Sequence, residues 1–257
     1  MTLSHEVKIA FERTFNSDGF ARTKLVTLEG EEPLGKAPSK FESLAAFIHL
    51  SDLHVCDSQS PARLEFLDRY ADPDFETRKQ IDYVGTYRAQ EFLSLQVVEA
   101  MVQAANRVTH GPLGNGKVDA VFLTGDVIDN GQFNELTWYK KLLEGGHVSS
   151  ASGSPLSVEG VQAADWDEEH FYQPDADPTH RVLDKFGLPH IELLTETAQA
   201  EFLATGLEHP WLAIHGNHDA LLQGVAAPNQ ELNDLATGSE KLSGLAEGTD
   251  LAQVFAE

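Results

Sequence analysis

Three short apolar runs, each followed at once by polar or charged side chains, constrain the fold of this chain most. They cover residues 46–50, 120–123 and 211–214, and each has the length expected of a buried strand. If the strands are parallel, their carboxyl ends meet at one edge of a sheet, where open α/β sheets bind ligands. The runs therefore predict an α/β domain whose functional site is assembled from distant parts of the chain.

Helical patterns separate the runs. Between residues 86 and 108, apolar side chains recur at three- and four-residue intervals, which is typical of an amphipathic helix that returns the chain to the sheet. Shorter helices are predicted over 133–143, before Gly145 and Gly146, and over 194–205.

The rest of the chain shows weaker patterns. A further strand is predicted near residues 25–28, and residues 56–83 are predicted to form a long polar loop. The polar segment 147–190 is too long for an ordinary connection, so it indicates a functional lid or a disordered insertion. We predict a single domain over residues 1–257, with an insertion at about 147–190.

The charge of the chain restricts its partners. It has 41 acidic and 18 basic side chains, a formal charge of −23, which argues against binding to nucleic acid or to an anionic membrane surface. No apolar run approaches the roughly 20 residues that span a bilayer, and the first residues lack the pattern of a signal peptide. We therefore expect a cytoplasmic protein without a membrane partner. The single cysteine, Cys56, excludes an internal disulfide and has no partner spacing for a thiolate metal site.

Side chains able to bind metal follow the first two runs. Asp52 and His54 are two residues apart, so on a continuing strand both lie on one face and can hold one cation together. Gly125 permits a sharp turn that presents Asp126 to the cleft. The two oxygens of Asp126 can bridge a pair of metal ions about 3.5 to 4 Å apart.

The third run ends in a comparable cluster. Asn217 offers a neutral carbonyl oxygen to the second ion. His218 is expected to face the leaving group as an acid, with Asp219 positioned to influence it. These expectations assign a role to each of the three strand ends.

The three clusters together resemble the signature of the calcineurin-like metallophosphoesterase superfamily. They are D-x-H at 52–54, G-D-x-x-D at 125–129 and G-N-H-D at 216–219. The resemblance implies a β-sandwich of two sheets flanked by helices and two metal ions, divalent or of mixed valence, with manganese, iron or zinc as candidates. By resemblance, Asp52 and His54 bind the first ion, Asp126 bridges, Asn217 binds the second, and His218 assists departure of the alcohol.

The function implied is hydrolysis of phosphate monoesters or diesters. A hydroxide that bridges the metal ions would attack phosphorus in line, and the substrate would be a small-molecule phosphoester. A nuclease of the same superfamily is disfavoured by the negative charge of the chain.

The sequence departs from the superfamily pattern at one point. The signature normally continues with a separate histidine and G-H-x-H, but no histidine follows His218. We expect this chain to be the amino-terminal part of a longer protein, with a sandwich incomplete at its C-terminal end and weak metal binding on its own. An uncovered apolar face of the sheet would favour self-association. The alternative is a scaffold or binding module that keeps the fold without a complete metal site.

The other histidines of interest are expected outside the first coordination sphere. His49 lies within the first run and is expected to pack against or bond to a neighbour, and His215 is expected to have a packed or supporting role. Four further histidines share no spacing and are interpreted as surface residues: His147, His170, His180 and His190.

Overall fold

The computed structural model describes residues 8–15, 21–26, 43–72, 87–111, 116–150, 152–154, 157–163, 169–177 and 180–250. The chain divides into two compact units, Met1–Ser43 and Leu44–Glu257. In the first unit, β1 (Lys8–Phe15) pairs antiparallel with β2 (Ala21–Val26), which overlaps the strand predicted near residues 25–28. The prediction of a single domain over residues 1–257 concerns how the two units pack together, and it stays a prediction.

The second unit contains the remaining elements. Its strands are β3 (Phe47–Leu50), β4 (Ala120–Thr124), β5 (Gly146–Val148), β6 (Phe202–Ala204) and β7 (Trp211–Ile214). Its helices are α1 (Asp68–Ala71), α2 (Ser94–Asn106), α3 (Phe133–Glu144), α4 (Arg181–Phe186), α5 (Leu194–Gln199) and α6 (Gln230–Ala236). The α/β class predicted from the sequence is confirmed. None of the described helices combines the length and the apolar character needed to cross a bilayer.

A three-stranded parallel sheet lies at the centre of this unit, in the order β3-β4-β7. Leu50 is in register with Leu123, and Leu123 with Ala213, so the three carboxyl ends lie side by side. The prediction that the three runs form parallel strands with their ends at one edge is therefore confirmed.

The two longest helices cover one face of this sheet. Helices α2 and α3 agree with the predicted helices, and their buried side chains form one apolar cluster with Val121 and Leu123 of β4. The helix predicted over 194–205 is wrong in its second half. Helix α5 ends at Gln199, and the chain then forms β6, which pairs antiparallel with β5. This pairing buries Val148 and Ala204, and that tertiary contact outweighs the local helical pattern.

Part of the segment 147–190 packs against the rest of the unit. A second apolar cluster joins Tyr172, Val182 and Leu183 to Phe92 and Ala198. The neutral thiol of Cys56 is also buried, at the start of the loop that leaves β3. That loop includes the short helix α1, so it is less irregular than its sequence suggests.

The opposite face of the sheet has exposed apolar side chains in the part of the chain that the structure describes. The side chains of Phe47, Leu212 and Ile214 are each more than half exposed. The expectation that 211–214 forms a buried strand is thus wrong, because only Trp211 packs against the apolar cluster. The prediction that part of the apolar face is uncovered is confirmed for these residues, and the second sheet of a sandwich stays a prediction.

Candidate metal centre

The loops that follow β3 and β4 continue side by side beyond the end of the sheet. The backbone N–H of Asp52 donates to the Gly125 carbonyl at 3.2 Å, and that of His54 donates to the Asp126 carbonyl at 3.0 Å. These bonds bring ligand atoms of Asp52, His54 and Asp126 within 4.8 Å of one another. The structure therefore brings together three of the residues predicted to bind metal.

The same three residues have an uncommon backbone conformation. The φ angles are 57° at Asp52, 46° at His54 and 50° at Asp126, in the left-handed region that L-residues with side chains rarely adopt. Such conformations persist only where the surroundings enforce them, and they concentrate at functional sites. The sequence did not predict that three of the expected metal ligands share this backbone conformation.

The loop after β7 approaches this pair of loops closely. A Cβ atom at Gly216 would overlap the Asp126 carboxylate and backbone nitrogen, so only glycine fits there. Because the loops are this close, the backbone N–H of His218 donates to Asp126 Oδ1 at 2.9 Å. The glycine of G-N-H-D is thus explained by the approach of two strand ends.

Asp219 braces the same junction. Its Oδ1 accepts the N–H of Ile128 at 2.9 Å and its Oδ2 accepts the N–H of Gly216 at 2.7 Å. The first bond holds the loop after β7 against the loop after β4, and the second closes a turn within the loop after β7. The sequence predicts that Asp219 influences His218, but the structure brings a different carboxylate to the His218 ring.

That carboxylate is Asp129, the last residue of G-D-x-x-D. Its Oδ1 accepts hydrogen bonds from His54 Nδ1 at 2.9 Å, His218 Nδ1 at 3.2 Å and Arg88 Nη1 at 2.9 Å. Its Oδ2 accepts a hydrogen bond from Arg63, and the Asp129 side chain has no exposed surface. Asp129 belongs to the G-D-x-x-D motif, but the sequence predicts no role for it.

The charge state of Asp129 fixes the tautomers of both histidines. Burial raises the pKa of Asp129, but the hydrogen bond from His54 and the charges of Arg63 and Arg88 outweigh it and hold this pKa well below its usual range. An ionised carboxylate only accepts hydrogen bonds, so Nδ1 of His54 and of His218 carries the hydrogen. Their Nε2 atoms are left for a metal ion or a substrate, and His54 Nε2 lies 3.8 Å from Asp52 Oδ1.

Two overlapping groups have the spacing of a metal site, and their charges distinguish them. In the group of His54, Asp129 and His218, two arginines already neutralise the carboxylate and would repel a cation. In the group of Asp52, His54 and Asp126, no lysine or arginine of the described chain pairs with either carboxylate. The second group therefore suits a divalent cation better.

Asn217 lies on the loop between Gly216 and His218, and it is exposed. Its side-chain Nδ2 donates to the Gln223 carbonyl at 3.1 Å, which restrains the amide. Its Oδ1 accepts no hydrogen bond from the described residues. This oxygen is available to a ligand, and binding of a second ion by Asn217 stays a prediction.

The other histidines have partners away from this centre. His49 bonds to Thr124 at 2.7 Å, which confirms the expectation that it bonds to a neighbour, and His215 bonds to the Asp219 carbonyl at 3.2 Å. The remaining contacts are His147 with Glu201, His170 with the Phe171 ring, His180 with the N-terminus of α4, and His190 with the Ala176 carbonyl. Burial raises the pKa of the Cys56 thiol well above its usual value, so Cys56 offers no thiolate.

Two further buried carboxyl groups, those of Glu91 and Glu135, bind residues around the centre. Glu91 binds Arg63 at 2.5 Å, and burial raises the pKa of Glu91 to about 7 although Arg63 opposes the shift. Glu135 accepts the backbone N–H groups of Asp57 and Asn130, and burial raises its pKa to about 8. No local sequence pattern marked Arg63, Arg88 or Glu91, because they come from polar loops and the start of a helix.

A cleft of about 1020 Å³ lies between α6 and the start of α3. Its walls include the neutral side chains of Gln132, Asn134 and Thr237. The charged side chains of Asp57, Glu159 and Lys241 also line it. None of the residues assigned to the metal centre lines this cleft.

No protein-family model, curated protein or solved structure matches this chain. The resemblance to calcineurin-like metallophosphoesterases therefore rests on the three motifs and on the geometry of their side chains.

Proposed function

We propose that this chain carries a metal-dependent phosphoesterase site for phosphate monoesters or diesters. One observation supports this most strongly. Asp52, His54 and Asp126 place ligand atoms within 4.8 Å of one another, and all three have left-handed backbone angles. Strain at these three residues is expected if ligand geometry, rather than packing, fixes their positions.

The donor set fits the implied metals. Two carboxylates and an imidazole suit manganese, iron or zinc. Asp52, Asp126 and Nε2 of His54 would hold the first ion, and Asp126 with Asn217 would contribute to the second. When bound, the ions would lower the pKa of water and stabilise negative charge on the phosphoryl group.

Asp129 prepares both imidazoles for their roles. By accepting from His54 Nδ1 it fixes the tautomer and the ring orientation, as carboxylates behind metal-binding histidines commonly do. By accepting from His218 Nδ1 it also fixes the orientation of that ring and leaves its Nε2 atom for the substrate. A protonated His218 would then donate its Nε2 hydrogen to the departing oxygen.

The proposed substrate is a small-molecule ester. The cleft of about 1020 Å³ is large enough for such a molecule, but Asp57 and Glu159 line it and no residue of the centre does. The charge of −23 disfavours a nucleic-acid substrate.

The test is hydrolysis of a generic aryl phosphate and of its diester with added manganese. Asp126→Asn keeps an oxygen for the His218 N–H but loses the charge that the metals require, so we expect activity to fall about 100-fold or more. Asp184→Asn, an exposed position on α4, is the matched control and should match the wild type. Equal activity of the Asp126→Asn protein would remove Asp126 from the mechanism.

The scaffold alternative is favoured by one observation. In this chain no histidine follows His218, so the second ion has Asp126 and Asn217 as its candidate ligands. Metal analysis after dialysis separates the alternatives. A catalytic chain should retain about two ions, whereas a scaffold should retain none.

A further inference from the structure

Arg88 lies at the point where the two site imidazoles meet. Its Nη1 donates to Asp129 Oδ1 at 2.9 Å, the same oxygen that accepts from His54 and His218. The distance from Nη1 to each Nδ1 atom is therefore at most the sum of their two hydrogen bonds to this oxygen. The rings of His54 and His218 are themselves in contact, with centroids 4.5 Å apart. The three side chains thus form one group of donors around a single oxygen.

The two arginines that bind Asp129 differ in exposure. The Arg63 side chain is 2 % exposed and bridges Asp129 and Glu91. The Arg88 side chain is 35 % exposed, and Asp129 is the one acceptor of its guanidinium among the described residues. Since a guanidinium has five N–H donors, most of those of Arg88 have no protein acceptor in the described chain.

The position of Arg88 is fixed from both ends. Its backbone N–H donates to Glu91 Oε2 at 3.1 Å, just before the helical turn that leads into α2. Its guanidinium is held by Asp129. An anchored guanidinium with unused donors suits bidentate binding of phosphate oxygens, because little conformational freedom is lost when the ligand binds.

We propose that Arg88 binds the non-bridging oxygens of a phosphoryl group at this centre. This inference rests on the proposed function, and it adds the residue that recognises the anion. Arg63 already gives Asp129 a buried cationic partner at Oδ2, so Arg88 is not the first charge that this carboxylate binds. The guanidinium of Arg88 offsets the repulsion that Asp52 and Asp126 exert on an incoming phosphate.

The experiment compares four manganese-loaded proteins: wild type, Arg88→Gln, Arg88→Lys and Arg107→Gln. Arg107 is an exposed arginine at the end of α2, distant in sequence from the centre, and serves as the matched control. Binding of inorganic phosphate is measured by calorimetry, and KM and kcat are measured with an aryl phosphate. Circular dichroism checks that each variant is folded.

We expect Arg88→Gln to weaken phosphate binding and to raise KM by about tenfold or more, the range for a lost charged hydrogen bond. Arg88→Lys should lie between, because it keeps the charge and loses the fork. Added guanidinium ion should partly restore phosphate binding to Arg88→Gln, which a purely structural role would not produce. Arg107→Gln should match the wild type.

The outcomes separate this inference from the proposed function. If esters are hydrolysed but Arg88→Gln and Arg88→Lys keep wild-type phosphate affinity and KM, the inference is overturned while the function stands. A fall in kcat alone would also overturn it, since it would assign Arg88 to positioning Asp129. If no ester is hydrolysed but phosphate binding still requires Arg88, the phosphoesterase function fails and the anion site stands. If wild type neither binds phosphate nor hydrolyses an ester, both fail.

Discussion

Asp129 and the pair of Asp52 and Asp126 lie at the same edge of the sheet, yet their surroundings are opposite. Asp129 is fully buried and bound by two arginines and two histidines. The Asp52 side chain is 61 % exposed, and no lysine or arginine of the described chain pairs with it or with Asp126. The protein thus supplies its own cations for one carboxylate and leaves two others to a ligand. The buried carboxylate of Asp129 stabilises the fold, and the carboxylates of Asp52 and Asp126 are available to bind a ligand.

The largest effect should come from removing the cation behind Asp129. Arg63→Leu leaves Asp129 and Glu91 buried without that charge, so we expect the free energy of unfolding to fall by about 3–5 kcal/mol. Urea denaturation of the metal-free protein measures it. Asp52→Asn is the comparison, and it should stay within about 0.5 kcal/mol of wild type because Asp52 is exposed. Similar losses in both variants would break the contrast.

Metal ions should stabilise the protein through Asp52 and Asp126. At a manganese concentration 100 times the dissociation constant, the free energy of unfolding should rise by about 2.7 kcal/mol, and chelation should reverse the gain. Thermal denaturation with and without manganese measures this. Asp126→Asn should lose most of the gain, whereas Asp184→Asn should keep it. A gain unchanged in Asp126→Asn would place the ion elsewhere.

The pH dependence of stability should reveal the buried carboxyls. Burial raises the pKa of Glu91 to about 7 from an ordinary value of 4.5, so its contribution is complete below pH 4.5 and is lost as the pH rises through 7. Glu91→Gln imitates the protonated form, so the fall in stability with rising pH should be shallower, by at most about 1.4 kcal/mol per pH unit. Denaturation between pH 5 and pH 8 measures this slope.

Two other carboxyl groups also change the free energy of unfolding with pH. Glu135, with a pKa raised to about 8, acts in the same direction and keeps some slope in the variant. The lowered pKa of Asp129 acts in the opposite direction, since its contribution is present above its ordinary pKa and is lost in acid. A slope identical in wild type and Glu91→Gln would show that Glu91 does not titrate in this range.

The two faces of the central sheet also differ, because one packs against α2 and α3 and the other exposes apolar side chains. Leu212 and Ile214 expose apolar surface on the open face, so we expect concentration-dependent association in sedimentation experiments. Replacing both with threonine keeps strand propensity and should raise the dissociation constant about tenfold, with little effect on folding. Val225→Thr, an exposed apolar residue outside the sheet, is the control. A wild-type protein that stays monomeric would contradict this prediction.

The sequence by itself determined the elements whose signals are local. Strands β3, β4 and β7 follow from apolar runs that end abruptly, and helices α2 and α3 follow from apolar spacing. The parallel order of the strands then brings Asp52, His54 and Asp126 together, as the position of the motifs predicted. Local spacing failed at residues 202–204, where pairing with β5 replaced the expected helix.

Only the tertiary structure decided which charges are neutralised and which surfaces are covered. Arg63 and Arg88 lie 66 and 41 residues before Asp129 in the chain. No local sequence pattern therefore shows that they bind it. Asp129, and not Asp219, binds the His218 ring because of the way two loops meet at Gly216. Residue spacing encodes the periodicity of helices and strands, but the burial of a charge depends on the groups that surround it in space. For that reason the convergence of Asp52, His54 and Asp126 could be predicted from the sequence, and the network that supports them could not.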